Sequence, residues 1–266
     1  MFKIAGVELD SRFFLGTALY DSPQIMMDSI AASQTQVMTL SLRRQVAGAA
    51  DSKNQDSIFF DYLRTFQKNN HYLLPNTAGC HSAKEAITLA NMSRELFNTN
   101  WIKLEVVGDD YTLQPDPFQL VEAAEELIKQ GFEVFPYCTD DLVVCEKLLN
   151  VGCSILMPWG APIGTGKGLT NPYALRTLRQ RFPNVPLIVD AGMGSPSHAA
   201  LAMEMGFDGV LLNTAVAKAQ DSVKMAQAFK AAIEGGRLAY EAGIMAEQET
   251  AAASTPIVGV PFWHQS

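Results

Sequence analysis

The chain has 266 residues, a formal net charge of −8, and 48% hydrophobic against 18% charged residues. That is enough apolar material for one large α/β domain or two ordinary ones, and the acidic balance argues against a general nucleic-acid binder, which carries a basic face. Its four cysteines, Cys80, Cys138, Cys145 and Cys153, form no C-x-x-C pair and have only four histidines beside them. No zinc site is expected; free buried thiols in a reducing cytosol are the better reading.

In chain order, MFKIAGVELD lacks an apolar core with basic flanks, so no signal peptide is expected. No apolar run reaches the roughly 20 residues of a membrane span, and the expectation is a cytoplasmic protein without membrane association. Short β-rich runs then alternate with longer helical patterns. The runs are FFLGTA (13–18), VMTLSL (37–42), YLLPNTAG (72–79), WIKLEVVG (101–108), EVFPYCTD (133–140), CSILMPW (153–159), PLIVDAGMG (186–194) and GVLLNTAVA (209–217). In SAKEAITLANMSRELF (82–97), Ser82 can N-cap and Glu85 completes a capping box. In PFQLVEAAEELIKQG (117–131), Leu120, Ala123, Ala124, Leu127 and Ile128 follow helical spacing and Gly131 suits the C-cap. Strict βα alternation implies a parallel sheet with helices outside it, and eight units in about 250 residues is the size of a (β/α)8 TIM barrel. A doubly wound open sheet is the alternative, but FFLGTALYD lacks the G-x-G-x-x-G turn usual after its first strand. The spacing predicts one barrel domain over 1–245 and an irregular or mobile tail over 246–266, where small residues give way to Pro/Gly punctuation.

The fourth run poses a question: why does an apolar strand carry Lys103 and Glu105? Side chains alternate along a strand, so Lys103, Glu105 and Val107 share one face while Ile102, Leu104 and Val106 share the other. Helices outside a barrel demand the apolar set, which turns Lys103 and Glu105 into the lumen. A buried structural ion pair is one reading. The other is chemistry, because such a pair is often no better for stability than apolar residues. A lysine in an apolar site has a lowered pKa, and its neutral amine attacks ketones and aldehydes. Glu105 opposes that shift but could move the protons that imine formation needs.

The later strand ends add to this. IVDAGMGS places Asp190 near the end of the seventh strand, with Gly192 and Gly194 before a helix opening at Ser195–Pro196. Glycine lets backbone N–H groups approach a ligand, and a helix N-terminus favours an anion. Asn213 and Thr214 end the eighth strand, and loops after strands seven and eight form the usual phosphate site of this fold. Plain turn chemistry for the glycines and, for Asp190, an N-cap or structural hydrogen-bond acceptor role remain open. The sixth run leads into PIGTGKG, where Gly164, Gly166 and Gly168 space a loop that does not fit a Walker A pattern. It reads as a phosphate- or substrate-covering loop, or as an ordinary surface loop. Together the residues point to a Schiff-base enzyme acting on a sugar phosphate.

WIKLEV, LLPNTAGC, PIGTGKG, IVDAGMGSPSHAA and LLNTAVAKAQDS, in this order from about residue 14 to 245, resemble the thiazole synthase family of thiamine biosynthesis. The resemblance implies a (β/α)8 barrel acting on 1-deoxy-D-xylulose 5-phosphate. Lys103 would form the imine, and Glu105 and Asp190 would move protons as the carbonyl shifts along the sugar. Gly164, Ala191, Gly192, Asn213 and Thr214 match the family's sugar-phosphate contacts. A small sulfur-carrier protein would deliver sulfur from its C-terminal thiocarboxylate. A separate enzyme, an oxidase or a radical lyase, would supply dehydroglycine. The resemblance implies a homo-oligomer and no metal or organic cofactor. Thr165 stands where serine is commoner, and Arg43 or Arg44 could face the anionic substrate. A class I sugar-phosphate aldolase and a non-catalytic scaffold of a thiamine-pathway complex are the alternatives.

Overall fold

The computed structural model describes residues 2–42 and 53–252, with the backbone alone over 53–58. Arg43 and Arg44 fall outside the described residues, as does the tail from 253 onward. Residues 243–252 carry no regular element.

The chain opens with a hairpin of β1 (Phe2–Ile4) and β2 (Val7–Leu9). Eight parallel strands follow, each predicted from its β-rich run: β3 (Phe13–Gly16), β4 (Val37–Ser41), β5 (Tyr72–Asn76) and β6 (Trp101–Leu104), then β9 (Glu133–Cys138), β10 (Met157–Pro158), β11 (Ile188–Asp190) and β12 (Gly209–Leu212). The sheet order is β10-β9-β6-β5-β4-β3-β12-β11, and parallel bridges Leu156–Leu187 and Trp159–Asp190 join its two ends. The result is a closed (β/α)8 barrel. An outer layer holds α1 (Pro23–Ser33), α2 (Lys53–Lys68), α3 (Ala83–Phe97), α4 (Pro117–Lys129), α5 (Leu142–Asn150), α6 (Pro172–Arg181), α7 (Pro196–Glu204), α8 (Thr214–Ala217) and α9 (Ser222–Ala242). None of the described helices is long and apolar enough to cross a membrane.

Local chemistry explains these boundaries. Asp116 caps α4 by accepting from the Phe118 and Gln119 N–H groups, with Pro117 at the first turn. Leu120, Ala123, Ala124 and Leu127 form its buried stripe, and each such leucine contributes roughly 1.5–3 kcal/mol of burial. The helix stops where Gly131 takes φ +81°, with Gly131 N–H donating to Ile128 and Phe132 N–H to Leu127, a Schellman turn. Ser82 caps α3 by accepting from Glu85 N–H, and the Glu85 carboxylate reaches back to the His81 N–H.

Two apolar clusters follow from the alternation of faces. One lies between sheet and helices and takes Leu15, Met38, Ile102, Leu104, Val134 and Val189. The other fills the lower lumen with Phe14, Leu74, Trp101, Phe135, Ile188 and Leu211. Phe2, Ile4 and Leu9 of the hairpin belong to this second cluster and close the barrel at the N-terminal ends of its strands. Nothing in the residues of this segment announces that role.

The fourth barrel strand is shorter than its predicted span of 101–108. It ends at Leu104, and Val107–Asp109 (β7) turns away to pair antiparallel with Gln114–Pro115 (β8). This hairpin overhangs the pocket, with Val107, Asp110, Leu113 and Pro115 in its wall.

Candidate active site

Among the described residues, the buried charged side chains are Lys103, Glu105 and Asp190, at 6%, 7% and 1% exposure. All three meet in one place, the upper lumen. Lys103 Nζ lies 2.6 Å from Asp190 Oδ2 and 3.2 Å from Glu105 Oε1. Lys103 and Glu105 therefore both face the lumen, as strand alternation requires, although Glu105 stands one residue past the strand.

The Thr77 hydroxyl holds the Glu105 main chain there. Thr77 Oγ1 accepts from the Glu105 N–H and donates to its carbonyl, both at 2.8 Å. Thr77 N–H donates to the Lys103 carbonyl, and Val107 N–H donates to that of Cys80. The segment PNTAGC thus clamps the end of the lysine strand, which gives a structural reason for these two motifs to occur together.

The charge state of Lys103 differs from the sequence expectation. Burial alone lowers an ammonium pKa, but Asp190 and then Glu105 reverse that effect, so the pKa is raised above its ordinary value. The amine is an ammonium at rest, not the neutral nucleophile expected of an apolar site. Asp190 is pushed up to about 6: burial and the charge of Glu105 raise it, while Lys103 pulls it down.

The three charges line a cavity of about 520 Å³ at the C-terminal mouth of the barrel, within the range of small-ligand pockets. Gly164, Ala191, Gly192, Asn213 and Thr214 line the same cavity, so all eight residues singled out in the sequence come together. The loops after β10 and β11 are in backbone contact. Gly168 N–H donates to the Gly192 carbonyl, and Gly160 N–H donates to the Asp190 carbonyl. A Cβ on Gly192 would stand 2.4 Å from Ala161 N, and one on Gly194 would stand 2.3 Å from Gly166 O. Only glycine permits this approach. Ala191 holds φ +65°, a left-handed conformation costing an L-residue about 1–2 kcal/mol, and such strain clusters at ligand sites. Asn213 Nδ2 donates to the Ala18 carbonyl, which ties the ends of β12 and β3 together.

Tyr137 on β9 was missed. It lines the cavity with its ring centroid 5.5 Å from Lys103 Nζ. The alternation that exposed Lys103 and Glu105 applies equally to Phe135 and Tyr137 in EVFPYC, but a tyrosine in an apolar run gives no charge signal. Asn76 and Thr39 also line the pocket. The four cysteines are buried and none forms a disulfide among the described residues, with Cys138 and Cys145 sulfurs 3.8 Å apart behind the lumen.

Fold and site together define a (β/α)8-barrel protein with a buried lysine–dicarboxylate centre at the C-terminal mouth. The chain belongs to the thiazole synthase family: residues 3–256 match the family model for the thiazole biosynthesis protein ThiG. A thiazole synthase of Coxiella burnetii (strain RSA 331 / Henzerling II) is 57% identical over 262 residues, 98% of each chain. One of Burkholderia lata is 58% identical over 260 residues, 98% of this chain and 93% of that one. Among solved structures, a chain of the Amycolatopsis orientalis BexX/CysO complex has a TM-score of 0.80 at 30% identity, covering 94% of this chain and 98% of its own.

Proposed function

We propose that the protein builds the thiazole phosphate half of thiamine, starting from an imine between Lys103 and 1-deoxy-D-xylulose 5-phosphate. The observation that carries this reading is the Lys103 amine held between two carboxylates at the floor of a ligand-sized cavity. The ammonium state is no obstacle. An ammonium and a ketone give a protonated imine and water with no net change in protons. Protons need only move within the site. Asp190, at 2.6 Å, takes one from the ammonium, and the freed amine adds to the ketone carbon. A second proton moves from the newly bonded, positively charged nitrogen to the oxygen. Asp190 then returns its own, and the oxygen leaves as water while the nitrogen lone pair closes the C=N bond.

Glu105 stands on the other side of the nitrogen at 3.2 Å. It removes a proton from the carbon beside the imine, and with Asp190 shifts the carbonyl along the sugar. Ala191, Gly192, Asn213 and Thr214 hold the phosphate at the loops where this fold usually binds one, and Gly164 joins them from the loop after the sixth strand. Sulfur then arrives from the C-terminal thiocarboxylate of a small carrier protein, and dehydroglycine made by a separate enzyme completes the ring. The similar Amycolatopsis chain is solved in a complex of two proteins, which supports a protein partner here as well.

Borohydride trapping tests the reading. The protein is incubated with the sugar phosphate, reduced, and digested for mass spectrometry. A sugar-phosphate adduct on Lys103 is expected; no adduct, or an adduct on another lysine, overturns it. Release of a small aldehyde by carbon–carbon cleavage would instead indicate an aldolase. Thiazole formation undiminished in Lys103→Ala would leave only a scaffold.

A further inference from the structure

Tyr137 is 2% exposed, yet its hydroxyl has no hydrogen-bond partner among the described residues. Burying a hydroxyl without a partner costs on the order of 1–3 kcal/mol, and most proteins avoid it. The phenol is not in the apolar lower lumen. It stands one step above Phe135 on the same face of β9, in the wall of the cavity that holds Lys103, Glu105 and Asp190. Its ring lies 5.5 Å from Lys103 Nζ, a cation–π distance, so the ring itself also steadies the ammonium.

We infer that Tyr137 is a further catalytic residue, whose hydroxyl donates a hydrogen bond to the substrate oxygen lost as water when Lys103 forms its imine. The inference rests on the imine reading above and assigns that oxygen a donor. When the amine adds, the carbon–oxygen π bond becomes a lone pair on oxygen, directly beside the nitrogen and therefore beside the ring. A fixed donor there stabilises charge that exists only as the bond forms. The phenol keeps its own proton throughout, because burial together with Asp190 and Glu105 raises its pKa well above the ordinary tyrosine value. Asp190 remains the group that gives and takes protons; Tyr137 orients and stabilises. The same hydroxyl explains its own orphaned state, since its partner arrives with the substrate.

The test compares the full-length protein with Tyr137→Phe, which keeps the ring and removes the oxygen. Each is mixed with 1-deoxy-D-xylulose 5-phosphate at saturation and quenched over time with cyanoborohydride, and adduct on Lys103 is quantified by mass. The variant is expected to label Lys103 about 100-fold more slowly, the scale on which one oxyanion donor acts. Its thermal midpoint should be equal or higher, because it no longer buries an unpaired hydroxyl. Labelling at the wild-type rate overturns the inference and leaves the imine reading standing. Slow labelling with a lowered midpoint makes the hydroxyl structural and overturns it too. If the wild-type protein itself gives no Lys103 adduct, the imine reading fails and the inference falls with it.

Discussion

Lys103 Nζ on β6 meets Asp190 Oδ2 on β11 at 2.6 Å, reaching across a lumen where β9 and β10 separate the two strands in the sheet. With Glu105 on the other side, one buried cation faces two buried carboxylates. None of the three can be removed without leaving another short of a partner. A barrel could fill this layer with apolar side chains, as it does one layer lower with Phe14, Leu74, Trp101, Phe135 and Ile188.

Lys103→Met should abolish imine trapping and destabilise the fold at neutral pH by about 3–5 kcal/mol, the usual result of removing one partner from a buried pair. The sign of its pH dependence follows from the carboxylates left behind. Without the ammonium, the folded pKa of Asp190 moves further above its unfolded value. Stability is then fully present below the unfolded pKa and lost as pH rises through the folded one. Urea titrations at pH 5 and pH 8 should show the variant recovering at the lower pH. A deficit that is the same at both would mean the carboxylates are not buried together.

Acid should slow imine formation through Asp190. Its carboxyl is pushed up to about 6, and only the carboxylate can accept the ammonium proton. The rate of trapping on Lys103 should therefore fall about tenfold per pH unit below that value, with Asp190→Asn slow throughout and lacking the acid limb. An acid limb that persists in Asp190→Asn would assign the titration to another group.

How far the site could be read from sequence depends on what each residue announces. Lys103 and Glu105 were legible because charge in an apolar strand is anomalous and strand alternation fixes where it points. Asp190 was legible as a residue but not as a neighbour. Its 2.6 Å approach to Lys103 depends on barrel closure, so the rise in the lysine pKa could not be foreseen. Tyr137 looks like ordinary strand composition until its hydroxyl is found without a partner. All eight barrel strands followed from β-rich runs between helical patterns, whereas the two antiparallel hairpins did not. Residues 2–9 and 107–115 are too short to set a period, and their pairing depends on the barrel beside them.

Thr77→Val should cost roughly 1–3 kcal/mol, because the Oγ1 that accepts from the Glu105 N–H and donates to its carbonyl would be lost in a buried setting. It should also lower the rate of adduct formation, since Glu105, which holds Lys103 Nζ at 3.2 Å, loses its anchor. Thr77→Ser should restore both. Serine behaving like valine in unfolding and in trapping would show that the methyl group matters, not the oxygen.

Gly192→Ala should be poorly tolerated. The glycine takes φ +78°, and a Cβ would stand 2.4 Å from the Ala161 nitrogen. Left-handed strain of about 1–2 kcal/mol and an overlap of about 1–3 kcal/mol both act. A lowered denaturation midpoint and weaker affinity for the sugar phosphate are expected by calorimetry. An alanine variant with both unchanged would show that the two loops are not in contact in solution.

The N-terminal hairpin has a bearing on the order of events. Phe2, Ile4 and Leu9 stopper the barrel from beneath, so that among the described residues the C-terminal mouth is the way in. A molecule bonded to Lys103 at the bottom of such a blind shaft lies under whatever follows it. A larger reactant that arrived early would bar the smaller one. On the proposed function, the sugar therefore comes first, and the bulkiest participant reaches in only by its tip.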